Sequence, residues 1–407
     1  MTLHSLSAIA LVALASAADI SWVDCAENVP SSLAGTTLPD TLPATLACGR
    51  LDVPLDHSKD LSDDNVITLG PETEDEYRDF ALHVGTYAQS CIDQSSPPSI
   101  VEHLATGDII RDWNLVREAL GGTYLGEHYA ALYPEHTGRF ALDAIFATGV
   151  SNHDLLAAQY KSTQNMIYRA DAACLAEPSC PFNYQGKGSV PKAFDEVLAL
   201  ASNGSAPVSV HDVREQVALN YFIGQPRLND FNAALGQALN GNWTGWDYAS
   251  TGAALTNVED NSFEGWSSLR ESLKEADTAN VNFVFFQVMH LICSSWPYTA
   301  SSNEKLSVNA SMVLVTADWD LVTPTDLATF EWQQTPKSVL IDRHGDAHGT
   351  FNVPGPARDA FVNFLVTGDL PSALDDPKVA IYLPGSTRGE SPDPYSVPTG
   401  LEYGDTV

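Results

Sequence analysis

Two residues late in the chain have the types and spacing of an acid–base pair. Asp320 lies in ADWDLVTP and His348 in RHGDAHG, each just after a short apolar run, MVLVT and SVLID. An acid placed this way fixes the tautomer of the imidazole and stabilises its protonated form. The imidazole takes the proton of a nucleophile and returns it to the leaving group. Taken singly, Asp318 or Asp320 reads as a turn residue and His348 as a solvated loop residue. Asp-x-x-Thr-Pro followed by His-Gly on the next strand's loop is far harder to reach by chance. The pair needs a nucleophile, and no G-x-S-x-G occurs anywhere in the 407 residues. Gly149-Val150-Ser151 comes nearest, with His153 where the closing glycine would stand.

The elements that must position this pair follow from periodicity. Met312–Thr316 and Ser338–Asp342 are apolar on both faces, as is RFALDAIFA from Arg139 to Ala147, and all three are expected as buried parallel strands. LACGRLDVPLD (46–56) alternates like a strand up to Pro54, and Asn65–Leu69 is a further strand. The acidic stretch Glu72–Glu76 is expected to be irregular. Helical spacing marks Asp108–Leu120, with Ile109, Trp113, Val116 and Leu120 on one face and Gly121 as its stop. Thr123–Tyr133 follows, with Leu125, Tyr129 and Leu132 inward. After His348 comes a helix placing Ala357, Phe361, Phe364 and Leu365 on one side. From Ser151 to Trp296 the chain becomes rich in Asn, Gly and Ser and reads as a mostly helical insertion, with a helix near Pro191–Ala201. Strands alternating with helices define an α/β fold with a doubly wound, mostly parallel sheet, whose functional groups sit past the carboxyl ends of the strands. Trp22, Trp266 and Trp296 are expected to pack in the core or the insertion.

Composition excludes several partners. Fifty-two acidic side chains against 20 basic ones give a formal net charge of −32, a field that repels nucleic acid and anionic membranes. MTLHSLSAIALVALASA has the apolar stretch and the small-residue exit of a cleavable export signal, with cleavage expected before Ala18. Export makes the six cysteines disulfide candidates, and six allow fifteen pairings. Cys174 and Cys180 enclose a short loop and are the safest pair; Cys25 with Cys48 is next, leaving Cys91 with Cys293. Asn203, Asn242 and Asn309 each open an N-x-S/T sequon. No Walker loop, G-x-G-x-x-G after a strand or H-E-x-x-H is present, so no cofactor is expected.

DWDLVTP and DAHG, together with CGRLDVPLD and GTYLGEHYAALYPEHTGRFALDAI, resemble the secreted tripeptidyl aminopeptidase-like hydrolases, in the prolyl-iminopeptidase branch of the α/β-hydrolase peptidases. After the export signal at 1–17, the resemblance implies an α/β-hydrolase core from 18–150 and 300–407, and a helical lid at 151–299. It implies a serine peptidase that acts at the free amino end of peptide substrates, with Asp320 as triad acid and His348 as triad base. Two family segments are missing. A strand and a G-x-S-Y-G elbow belong before Gly122, yet Leu120-Gly121 runs straight into it. Two strands, a Gly-Gly-Pro-Gly loop and an Asp-Pro-Arg-Gly segment belong between Leu69 and Glu72. The expectation is an α/β-hydrolase with core strands missing that is inactive for want of its serine. A non-catalytic peptide- or protein-binding relative and an esterase-like hydrolase remain as alternatives.

Overall fold

The computed structural model describes residues 21–23, 48–50, 73–95, 101, 127–134, 137–224, 226–246, 262–277 and 305–396. The short strands β1 (Ser21–Val23) and β2 (Cys48–Arg50) pair antiparallel. Helix α1 (Glu74–Gln94) and helix α2 (Glu127–Leu132) follow, then β3 (Phe140–Asp143). The helices α3 (Asn152–Ala176), α4 (Ser189–Ser202), α5 (Val210–Gln216), α6 (Leu228–Leu239) and α7 (Phe263–Leu273) come next. The chain then alternates β4 (Met312–Trp319), α8 (Thr325–Gln334), β5 (Val339–Asp346), α9 (Pro356–Thr367) and β6 (Val379–Tyr382).

The main sheet has the order β3-β4-β5-β6, with the first three strands parallel and β6 antiparallel at the edge. Every residue of β4 is buried, because helices cover both faces. Val313, Val315, Val339 and Ile341 meet Ala357, Phe361 and Phe364 of α9. On the other face, Met312, Leu314 and Leu340 meet Tyr129 and Ala130 of α2 and Ala328 and Trp332 of α8. This double cover explains why these strands read as continuous apolar runs. The fold is a mixed α/β structure with a mostly parallel four-stranded sheet, as the sequence implied.

Several elements differ from expectation. Of the stretch at Glu72–Glu76, the described part is not irregular, because α1 begins at Glu74. Thr73 Oγ1 accepts from the Glu76 amide at 3.3 Å while the Glu76 carboxylate accepts from the Thr73 amide at 3.1 Å. This capping box sits with Glu74, Asp75 and Glu76 at the positive end of the helix dipole. Tyr77, Phe80 and Val84 of α1 pack on Trp266 of α7, which is buried as expected. Strands β4 and β5 run to Trp319 and Asp346, so Asp318 and His344 lie inside strands rather than in loops. Leu132 and Leu365 point outward. In α2 the inward face is set by Tyr129 and Ala130, and in α9 Leu365 lies a quarter turn off the line of Ala357, Phe361 and Phe364. The Arg139–Ala147 strand is paired only over Phe140–Asp143. Of the Thr123–Tyr133 helix, Glu127–Leu132 is described. The export signal, Asn65–Leu69, Asp108–Leu120, Cys25, Cys293 and Trp296 lie outside the described residues.

The helices from α3 to α6 enclose their own core, in which Ile167, Phe194, Phe222, Phe231 and Trp246 are buried together and Trp319 and Leu321 enter from the sheet. Cys174 and Cys180 are bonded at the end of α3; Cys91 has no disulfide partner among the described residues. The Cys174–Cys180 loop is short, so replacing both with alanine is expected to cost about 2 kcal/mol, read as a lower urea midpoint. An unchanged midpoint would contradict it.

Candidate active site

The site is built where β4 and β5 end. The register of these strands shifts between Ala317 and Trp319, an irregularity of the kind that re-aims side chains next to functional sites. One residue later Asp320 leaves the sheet and is 1% exposed. Its Oδ1 accepts from the amides of Val322 at 2.9 Å and Thr323 at 3.0 Å. Its Oδ2 accepts from Thr323 Oγ1 at 2.9 Å and the Gly349 amide at 3.3 Å. Asp320 is therefore the turn residue and the acid at once: its carboxylate closes the turn before Pro324 and α8, which locks its rotamer.

His348 stands on the loop after β5. Its Nδ1 is 2.9 Å from Asp320 Oδ2 and 3.0 Å from Oδ1. A carboxylate only accepts, so Nδ1 carries the proton and Nε2 is the basic nitrogen. The His348 amide donates to Gly224 O at 3.0 Å, tying the loop to the residues just past the π-helical turn Val217–Phe222. Burial disfavours the imidazolium of His348, but the Asp320 hydrogen bond and charge, with Asp143 adding to them, outweigh it and raise its pKa.

The loop carrying His348 is strained and braced. Ala347 has φ +101 and Gly349 has φ +80, and a positive φ at a non-glycine residue persists only where the surroundings enforce it. Arg343 donates through Nη2 to Asp346 O at 2.6 Å and Ala347 O at 3.4 Å. The Asp143 carboxylate accepts from the amides of Thr350 and Phe351, each at 2.7 Å. No sequence motif singled out Arg343 or Asp143.

A second carboxylate–imidazole pair lies alongside. His344 Nδ1 is 3.0 Å from Asp318 Oδ2, and the Gly345 amide donates to the same oxygen at 3.2 Å. The Asp318 hydrogen bond raises the His344 pKa against the opposing effect of burial. Next to it, Asp342 Oδ2 takes Arg388 Nη2 at 2.7 Å and Nε at 3.0 Å. His344 sits within β5 with its amide held by Lys378 O at 3.0 Å, so this pair belongs to the strand packing. The Asp320–His348 pair alone stands past the strand ends.

Ser151, the nearest serine to an elbow pattern, is a helix cap. Its Oγ accepts from the Asp154 amide at 3.0 Å and donates to Asp154 Oδ2 at 2.8 Å. Gly149 before it has φ +68, and a Cβ there would stand 2.5 Å from the Lys305 side chain. Among the described residues, no group of three or more His, Cys, Asp or Glu side chains could hold a metal ion, and no helix is long and apolar enough to cross a membrane.

Residues 281–377 match the family model described as TAP-like protein, a span that contains both Asp320 and His348. Over 70 residues the chain is 33% identical to a tripeptidyl aminopeptidase of Streptomyces lividans, covering 14% of this chain and 13% of that protein. The tripeptidyl aminopeptidase of Streptomyces coelicolor (strain ATCC BAA-471 / A3(2) / M145) matches with the same identity and coverage.

Proposed function

Because this chain carries a TAP-like α/β-hydrolase domain, we propose that Asp320 and His348 are the acid and base of a peptidase-type centre that has lost its nucleophile. The observation that carries this reading is the 2.9 Å contact of His348 Nδ1 with a buried Asp320, in a sequence with no G-x-S-x-G. The substrates that such a centre would bind are peptides with a free amino end, the class named by the tripeptidyl aminopeptidases that the chain resembles in part. The imidazole can hold a proton at Nδ1 and offer Nε2, yet the sequence has no G-x-S-x-G serine to use it. Losing the serine alone in a comparable hydrolase costs about 10⁶ in kcat, roughly 8–9 kcal/mol.

The same reading puts the chain outside the cell. It is supported by the export-type start, the Cys174–Cys180 disulfide and the exposure of Asn203, Asn242 and Asn309.

The test is a fluorophosphonate labelling of the purified full chain, with tripeptide anilide turnover measured in parallel. The expected result is no labelled serine, and turnover that His348→Ala does not lower. A labelled serine together with inhibitor-sensitive turnover would overturn the reading.

A further inference from the structure

Asp143 ends β3, the strand beside β4, and meets the loop after His348. Its two oxygens receive consecutive amides. Thr350 N is 3.0 Å from Oδ1 and 2.7 Å from Oδ2, and Phe351 N is 2.7 Å from Oδ2. Oδ2 also lies 3.5 Å from the point where a Cβ on Gly349 would stand, so the carboxylate rests against the backbone of the residue after His348. Within this loop Ala347, a non-glycine residue, is held at φ +101, and such a conformation persists only where neighbouring groups anchor it. Arg343 holds the carbonyls of Asp346 and Ala347, and Asp143 holds the amides of Thr350 and Phe351. Charge-assisted bonds from two amides to one carboxylate are stronger than neutral ones and direct the loop as well as hold it.

We propose that Asp143 is a positioning residue of the acid–base centre: by clamping the amides of Thr350 and Phe351 it holds His348 against Asp320. This rests on the reading of His348 as the base. Asp143 also adds a second negative charge to the surroundings of the imidazole, beyond the one in contact. The charges that act on the imidazole are those of Asp320 at the end of β4 and Asp143 on β3, against burial; Arg343 on β5 is engaged in turn by Asp346, Asp143, Asp320 and Asp318. From the helical side the loop meets the carbonyl of Gly224.

The experiment follows the His348 ring by histidine-selective NMR in the full chain, assigned with His348→Gln, across pH 5 to 9. Asp143→Asn keeps an oxygen acceptor for the amides and removes the charge. The expected result is a fall of about 0.5 unit in the His348 midpoint. Asp143→Ala removes the acceptor too and is expected to speed amide hydrogen exchange at Gly349, Thr350 and Phe351, while amides of α4 keep their protection. Asp320→Asn is the reference and is expected to lower the midpoint more. An unmoved midpoint in Asp143→Asn, in a protein where Asp320→Asn does move it, overturns the role of Asp143 alone. If neither variant moves it, the reading of His348 as the base falls and the proposal with it. Should Asp143→Ala fail to fold, the Asp143→Asn midpoint decides.

Discussion

Replacing Arg169 with alanine is expected to destabilise the protein by about 3–5 kcal/mol, the usual cost of breaking a buried ion pair by removing one partner. Arg169 projects from α3 and is fully buried. Its Nε lies 2.7 Å from Asp346 Oδ1 and its Nη2 2.8 Å from Oδ2, a two-pronged contact that a lysine cannot reproduce. Its Nη1 donates to Ser396 O at 2.8 Å and Pro394 O at 3.2 Å. The guanidinium stacks 4.0 Å over the Trp319 ring. One side chain thus joins the helical segment, the ends of β4 and β5, and the backbone at Pro394 and Ser396. Without it, Asp346 stays buried beside the His348 loop with both carboxylate oxygens stripped of their guanidinium contact and only the charge of Arg343 nearby. The check is urea unfolding at pH 6 of Arg169→Ala, Asp346→Leu and the double variant Arg169→Met/Asp346→Leu. The double variant should recover most of the loss, because no buried charge is left alone. Limited proteolysis should also cut the Arg169→Ala chain within residues 384–396 sooner. A loss below about 1 kcal/mol would mean that water reaches the pair and that it behaves as a surface bridge.

Arg169 also shows where reading the sequence stops. Its partner Asp346 is 177 positions away, and an arginine on an amphipathic helix reads as a surface residue until the strand beside it is known. Asp143 meets Thr350 across 207 positions for the same reason. Local signals fared better. Met312–Thr316 and Ser338–Asp342 declared themselves as buried parallel strands because both faces are apolar, and Asp320 and His348 stood out because each follows such a run. The Cys174–Cys180 bond was legible because its loop is short. Helix α1 was missed although its signal was present: Thr73 and Glu76 have capping-box spacing, and Tyr77, Phe80 and Val84 repeat at helical intervals. The density of acids around Glu72–Glu76 hid it, yet acids in a first turn favour a helix. The positive φ of Ala347 has no counterpart in the sequence at all, since alanine carries no mark of strain imposed from outside.

Stability should rise as pH falls from 8 to about 5, against the habit of most carboxylate-rich folds. One buried group, Asp342, and two half-buried ones, His344 and His348, bind their protons more tightly in the folded chain. Burial, with the charge of Asp318 adding to it, pushes Asp342 up to about 6 from 3.8, in spite of Arg388. His344 and His348 are raised from 6.5 by Asp318 and Asp320, each against the opposing effect of burial. A raised group contributes its stability below its unfolded value and loses it as pH climbs through the folded value. For Asp342 that window runs from 3.8 to about 6, and for the histidines it opens at 6.5 and runs upward. Between pH 8 and 5, Asp342 alone accounts for about 1.5 kcal/mol, roughly half of its full effect. Self-repulsion from a formal charge of −32 acts in the same sense. The opposing groups, Asp154 and Glu177, are lowered by hydrogen bonds from Ser151 and Ser179, but both are exposed and act only toward still lower pH. Thermal unfolding at pH 5, 6.5 and 8 should give falling midpoints, and Asp342→Asn should flatten the part of the profile below about pH 6. A maximum at pH 7–8, or an unaltered slope in Asp342→Asn, would remove Asp342 as the cause. The direction also bears on the site. The pH at which the fold is most stable is one at which His348 is protonated and paired with Asp320, an imidazolium that cannot act as a base. A centre that relied on this histidine for catalysis would gain base strength only as its scaffold weakened. Under the proposed reading, in which no serine uses this base, there is no such conflict, and the half-buried Asp320–His348 pair can serve as an ion pair that ties the loop after β5 to the end of β4.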